Sequence, residues 1–340
     1  MISISDIISI VVFPGALFII VYALYCNWLC RKAVARLQNR RGPMHTGYAG
    51  MLQPFADIVK LLAKEDITPG AANKTLFSAA PVVIFSLALS AVFLIPIQSI
   101  TNLYAYTPIA SFEGDLVIVL LILSLIVLSV FLAGWSSANI FGAVGATRVA
   151  LMTLAYEIPL VLLTLGPAIM AGSLSINNIV AWEVGSVQSF FAAPDIWGIL
   201  KGLALGFVML VGFAICILSL LAETEMRPFD MAEAETEIVH GWQVEFSGKK
   251  LALLTLGRDV KLVLASALLT SLFLGGPAGP ILPPIVWFIL KTTFCVLILS
   301  NLSALFARFR IDLMLRWAWQ YLVPLAVLQV MAIVALSGVI

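Results

Sequence analysis

The sequence predicts an all-α integral membrane protein, and three observations carry that reading. Apolar residues fill 62% of the 340 positions, charged residues 11%, and the mean hydropathy is +1.09. Soluble globular domains carry about a quarter of their residues charged. The apolar residues also gather into eight runs, at residues 7–29, 76–97, 116–135, 149–171, 196–221, 251–274, 284–307 and 317–340. Each is close to the ~20 residues that an α-helix needs to cross roughly 30 Å of hydrocarbon. One membrane domain of eight transmembrane helices over residues 1–340 is therefore expected, with an amphipathic segment at 44–66 and an acidic loop at 222–250.

The first run follows Asp6 with no basic region before it and is long enough to span, so it reads as a retained helix rather than a cleaved signal. Cys26, Cys30, Cys216 and Cys295 all lie in or at the ends of apolar runs, and no four-ligand set exists for zinc or an iron-sulfur cluster. They read as small apolar fillers. His45 and His240 are the only histidines and build no metal site by themselves, so no metal is expected on this chain.

After the first run comes a basic stretch. Residues 53–64, QPFADIVKLLAK, place Phe55, Ile58, Val59 and Leu62 on one helical face and Asp57, Lys60 and Lys64 on the other, with Pro54 suited to a first turn. This helix is too short to span and reads as lying in the lipid headgroup region, or as packed under a partner subunit.

Lys and Arg set the expected orientation. Arg31, Lys32, Arg36, Arg40, Arg41, Lys60, Lys64 and Lys74 fall between runs one and two; Arg227, Lys249 and Lys250 between five and six; Arg308, Arg310 and Arg316 between seven and eight. The connections at 98–115, 172–195 and 275–283 carry none. By the positive-inside rule the basic loops are cytoplasmic and both termini face outward. A net charge of +1 gives no reason to expect a nucleic-acid partner.

Within the runs the unusual residues are Glu157 in the fourth, Arg258, Asp259 and Lys261 in the sixth, and Lys291 in the seventh. Arg258 and Lys261 lie near a helix end and could snorkel to the interface. Glu157, about two and a half turns after Arg148, has no such escape, and an intramembrane carboxylate is a functional-site hypothesis by default. The acidic loop holds Glu223, Glu225, Asp230, Glu233, Glu235, Glu237 and Glu245, seven of the eighteen acids in the chain. On a helix Asp230, Glu233 and Glu237 would share one face and Glu235 would point away. The bland alternative is a solvated loop paired with Arg227, Lys249 and Lys250. Nucleotide cradles are missing, and Gly142 and Gly145 read as helix-packing glycines. No redox cofactor is expected on this chain alone.

Several segments resemble one family. RLQNRRGP at residues 36–43, LQPFAD at 52–57, KLLAKED at 60–66, LAGWSSAN from Leu132, GAVGATRVALMTLAYE ending at Glu157, the acidic loop, and ARFRIDLMLRWAW from Ala307 are similar to the membrane subunit of respiratory complex I that roofs the quinone chamber. The resemblance covers essentially the whole chain. It implies a subunit clamped between a peripheral arm, whose partner subunits carry the iron-sulfur clusters, and antiporter-like membrane subunits. It also implies that Glu157, Glu223, Glu225, Asp230, Glu233, Glu235, Glu237 and Glu245 form or border a carboxylate path for H⁺ or Na⁺. Glu225 stands where the family more often has a neutral residue, and Arg227 is displaced by one position. Arg36, Arg40, Arg41, His45, Asp57, Lys60, Arg258, Asp259, Arg308 and Arg310 would border the chamber or the peripheral arm.

Departures from the family pattern point to a branch. Quinone-using members usually read Gly-Pro-Asn-Arg-Val-Gly where this chain has Gly42-Pro43-Met44-His45-Thr46-Gly47, and Ala-Glu-Tyr where it has Gly257-Arg258-Asp259. They tend to have Trp-x-Arg where it has Asn301-Leu302-Ser303. Such exchanges resemble the ferredoxin-driven hydrogenase and sulfur-reducing complexes, which imply nickel-iron-hydrogenase-like partners and no quinone reduction. A quinone-site subunit remains the alternative, as does a stand-alone ion transporter, although no inverted repeat of broken helices is visible. A passive anchor for a soluble enzyme would explain the basic loops but not Glu157.

Overall fold

A computed structural model describes residues 4–99, 104–191 and 196–337, and among them every regular element is helical. In chain order these are α1 (Ile4–Val11), α2 (Ala16–Leu37), α3 (Gln53–Ala63), α4 (Lys74–Val92), α5 (Asp115–Ser136), α6 (Ile140–Ala171), α7 (Ile176–Phe191), α8 (Ile196–Glu223), α9 (Glu235–Ile238), α10 (Gly248–Phe273), α11 (Pro284–Leu305), α12 (Ile311–Trp317) and α13 (Val323–Ser337). Among the described residues, seven stretches are long and apolar enough to cross a membrane. The protein is a multi-pass membrane protein.

The eighth expected span is α10, and it departs from the others for a physical reason. It runs 26 residues but carries Lys249, Lys250, Arg258, Asp259 and Lys261, too many charges for a lipid-facing helix. Its place explains how it tolerates them: every residue from Asp259 to Leu272 is buried, and α2, α4, α8 and α11 pack around it. A helix enclosed by others needs no apolar stripe.

Local chemistry sets the helix ends. Asn73 and Asn139 accept from the N–H groups of Leu76 and Phe141 at the starts of α4 and α6. Gly172 closes α6 in the left-handed region at φ 61°, which costs glycine nothing. Between residues 172 and 195, read from sequence only as a connection, the chain forms α7. The last run bends through a π-helical turn at Ala318–Leu322 between α12 and α13.

The amphipathic helix appears at Gln53–Ala63, with one revision. Pro54 and Ile58 turn inward, while Phe55, Val59 and Leu62 remain exposed. Cys26, Cys216 and Cys295 are buried and all four cysteines are free. Met1–Ser3 and residues 338–340, on which the expected placement of the termini falls, lie outside the described residues.

Candidate functional site

Two of the predicted carboxylates sit among the spanning helices. Glu157 leaves α6 toward α5, where the Ser124 hydroxyl donates to it. Glu223, the last residue of α8, is 2% exposed and lies 3.0 Å from Lys261 Nζ of α10, with the Tyr156 phenol against the same carboxylate. Glu157 and Glu223 line one cavity of about 10 Å³ together with Ser124, Thr153 and apolar side chains. That is roughly the room one water requires.

The acidic loop continues from there, but not as a helix. Only Glu235–Ile238 is helical, so Asp230, Glu233 and Glu237 do not share a face. Each goes to a different arginine instead. Asp230 accepts from Arg308 at 2.7 Å, Glu233 from Arg258, and Glu237 from Arg148 at 2.5 Å. The expected loop partners contribute less: Arg227 is 3.9 Å from Asp230, and Lys250 pairs with Asp66 at 3.3 Å. A helix would have aimed three like charges at one place, whereas the irregular backbone, with Glu225 at φ 54° and Val239 at φ 64°, distributes them to three cations.

Glu233 is the most confined of the acidic-loop carboxylates beyond Glu223. It is 8% exposed and accepts from Gln243 Nε2 at 2.6 Å as well as from Arg258. Burial pushes its carboxyl above the usual range, the Arg258 guanidinium opposes that, and the nearby Glu225 and Asp230 push it up further. Arg258 is tied to the loop through Glu233 with its side chain 44% exposed. Lys261, 6% exposed, does not snorkel. Asp259 accepts from Asn27 Nδ2 of α2 at 2.7 Å, and its second carboxylate oxygen is buried without a hydrogen-bond partner.

The remaining predicted residues spread over one end of the bundle. Asp57 accepts from Arg31 at 2.5 Å and from Gln53 at 2.8 Å, joining α3 to α2. Glu245 accepts from Asn139 at 2.5 Å at the start of α6. Arg36, Arg40, Arg41, His45, Lys60, Glu235 and Arg310 are exposed. Arg148, Glu237, Arg310 and Asp312 border an open cleft of about 340 Å³. Of the glycines expected to pack helices, Gly142 faces Ser137 and the Gly134 carbonyl at the end of α5, while Gly145 meets the loop: a Cβ on it would overlap the Trp242 backbone nitrogen, so only glycine lets the loop seat on α6.

Sequence reasoning missed Ser124, Tyr156, Asn27 and Gln243, which touch the acids from other elements. A lone Ser or Tyr in an apolar run gives no periodic signal. It also missed Glu183 of α7, which accepts from the Gly275 N–H, although a carboxylate between apolar residues 179 and 184 was a visible anomaly. Lys291, singled out without a role, caps α10 by donating to the carbonyls of Leu274, Gly276 and Ala278 at 2.6, 2.9 and 2.7 Å.

The NADH dehydrogenase family matches this chain over residues 8–334. The chain is 36% identical over 319 residues to the H subunit of NADH-quinone oxidoreductase from Dehalococcoides mccartyi strain CBDB1, covering 91% of this chain and 81% of that protein. It is 35% identical to the corresponding protein of Thermomicrobium roseum, over 90% and 89% of the two chains, and 35% identical to that of Wolbachia pipientis wMel, over 95% of each. With residues 8–334 matched and a third of positions shared along nearly the full length of these relatives, the chain belongs to the NADH dehydrogenase family, as a membrane protein of the complex I type.

Proposed function

We propose that this chain is the coupling membrane subunit of a complex I-related oxidoreductase, converting electron transfer in a peripheral iron-sulfur arm into ion movement through its carboxylates. The observation that carries the reading is the continuity of charge from the bundle interior to the basic end: Glu157, then Glu223 with Lys261, then Glu233 with Arg258, then Asp230 with Arg308. Charges among membrane helices are costly, and a string of them is retained where ions or protons move. The cavity of roughly 10 Å³ between Glu157 and Glu223 takes one water, which suits relay of H⁺ between the two carboxylates. In the assembled complex, Glu157→Gln keeps the volume and the Ser124 contact but cannot exchange a proton. Ion uptake per electron then falls at least tenfold with assembly retained. Pumping at the normal ratio would sink the carboxylate path.

The same reading places the protein in the cytoplasmic membrane with the basic end on the cytoplasmic side, both termini outward, and antiporter-like membrane subunits as neighbours. For the electron acceptor, the chamber wall favours the ferredoxin-driven hydrogenase or sulfur-reducing branch, with nickel-iron-hydrogenase-like partners. Arg258 is paired with Glu233, and Asp259 accepts from Asn27 through one oxygen while its second oxygen stays buried and unpartnered, so this wall presents a carboxylate and its cation rather than the neutral donors that suit a quinone headgroup. The names of the relatives, NADH-quinone oxidoreductase, support the other reading. Purified complex free of stoichiometric quinone, with ferredoxin-dependent turnover that resists quinone-site inhibitors, is the outcome expected here. A tightly bound quinone, or inhibitor-sensitive quinone reduction that drives ion uptake, selects the quinone branch.

A further inference from the structure

Gln329 of α13 is 4% exposed, and neither its amide oxygen nor its amide nitrogen has a hydrogen-bond partner. An unsatisfied primary amide between transmembrane helices is expensive, so its retention needs a cause. Its setting is specific. A Cβ on Gly212 of α8 would overlap Gln329 Nε2, and one on Gly166 of α6 would stand 3.0 Å from it. Two helices thus present bare backbone to one amide. Next to Gly166, Pro167 has no N–H to give the Leu163 carbonyl one turn earlier, which supplies a hydrogen-bond acceptor on the same helix.

The level of this amide in the bundle is fixed from both sides. Gly166 lies nine residues beyond Glu157 along α6, and Gly212 lies eleven before Glu223 along the antiparallel α8. At 1.5 Å per residue both intervals are roughly 13 to 17 Å. Gln329 therefore sits about half a bilayer from the Glu157 and Glu223 cavity, toward the end away from the basic loops. Apart from Thr164, the intervening stretch of α6 is apolar.

We propose that Gln329 holds a buried water and is the next polar station of the ion path, anchoring the far end of a chain of waters that carries protons between the Glu157–Glu223 cavity and the face opposite the acidic loop. This rests on the carboxylate-path reading above. An amide suits the task because its oxygen accepts and its nitrogen donates, so one side chain orients a water in both directions without carrying a charge of its own. The two glycines keep space for the amide where any larger residue would fill it.

The test uses the whole purified complex in sealed vesicles, with protons counted per electron, and a cryo-electron microscopy map that shows ordered waters. The wild-type map is expected to show a water within about 3.2 Å of the Gln329 amide. Gln329→Leu, similar in volume, is expected to lower the proton-to-electron ratio at least fivefold with assembly retained, and Gln329→Asn to recover at least half of it. If Gln329→Leu does not assemble, the Asn variant and the map decide. An amide bonded directly to backbone carbonyls with no water beside it, or a Leu variant that pumps at the normal ratio, overturns the proposal. Glu157→Gln in the same preparation separates the two readings. If Glu157→Gln fails to pump while Gln329→Leu pumps normally, only this inference is lost; if both pump normally, the carboxylate path itself is lost.

Discussion

Lys261 and Glu223 face each other 3.0 Å apart between α10 and α8, their side chains 8% and 3% exposed. The pair accounts for the position of the most charged helix in the protein. A lysine on α10 is tolerable in hydrocarbon only where a carboxylate meets it, and Glu223 meets it at the point where α8 gives way to the acidic loop. One ion pair thereby fixes the depth at which the loop begins.

The first prediction follows from that pair. Lys261→Met leaves the Glu223 carboxylate buried without its cation, which costs about 3–5 kcal/mol for a buried pair broken on one side. The double variant Lys261→Met with Glu223→Gln removes both charges and should recover most of that loss. Thermal stability of the purified complex checks it: equal destabilisation by the single and double variants would mean that the pair is not energetically coupled.

Glu183 gives a pH prediction. Burial raises its carboxyl to about 8, opposed by the Gly275 N–H and the Lys291 charge. A group whose folded value lies above its unfolded value of roughly 4.3 binds an extra proton in the native state. Its contribution to stability is therefore complete at low pH and is lost as pH rises from about 4.5 through about 8. Thermal midpoints taken from pH 5 to 9 should decline over that window. Glu183→Gln should flatten the decline, and a slope unchanged in that variant would assign the pH dependence to another group.

Topology is tested by accessibility. Cysteines placed at Arg36 and Lys249, both exposed, should label from the cytoplasmic side, and those at Glu113 and Asn178, also exposed, from the other. Thr101, another candidate in the second connection, lies outside the described residues. The native cysteines do not compete where they are buried, as Cys26, Cys216 and Cys295 are. The reverse labelling pattern would put the acidic loop on the outer face.

The spans were legible because hydrocarbon imposes one rule along the chain, and the amphipathic helix because Phe55 and Lys60 obey one periodicity. The site was legible as composition but not as geometry. Glu157 and Glu233 stand out as acids among apolar residues, yet nothing local states that Ser124, 33 residues away, donates to the first or that Arg258, 25 residues away, pairs with the second. Helical spacing misled at Asp230, Glu233 and Glu237 because three tertiary arginines outweigh a weak local preference. Lys291 shows the reverse: it read as an intramembrane charge with a role to find, and its three carbonyl partners become neighbours only once α10 and α11 are packed.

The last prediction concerns Glu233 and Arg258. Burial and the neighbouring Glu225 and Asp230 raise the Glu233 carboxyl, and Arg258 is the main influence that lowers it. Arg258→Leu removes that opposing charge, so Glu233 should keep its proton to higher pH than in the wild type. If Glu233 must lose its proton for turnover, the acid limb of ion-coupled activity moves upward by about one pH unit or more, the scale set by removal of an adjacent opposite charge. Glu233→Gln in the Arg258→Leu background mimics the protonated carboxyl at every pH and should remove ion-coupled activity across the range rather than move its limb. Activity measured across pH 5 to 9 in the assembled complex separates the cases. An acid limb at the same pH in Arg258→Leu would mean that Glu233 is not the group whose proton governs coupling, and that its buried contacts with Arg258 and Gln243 serve to hold the loop against α10.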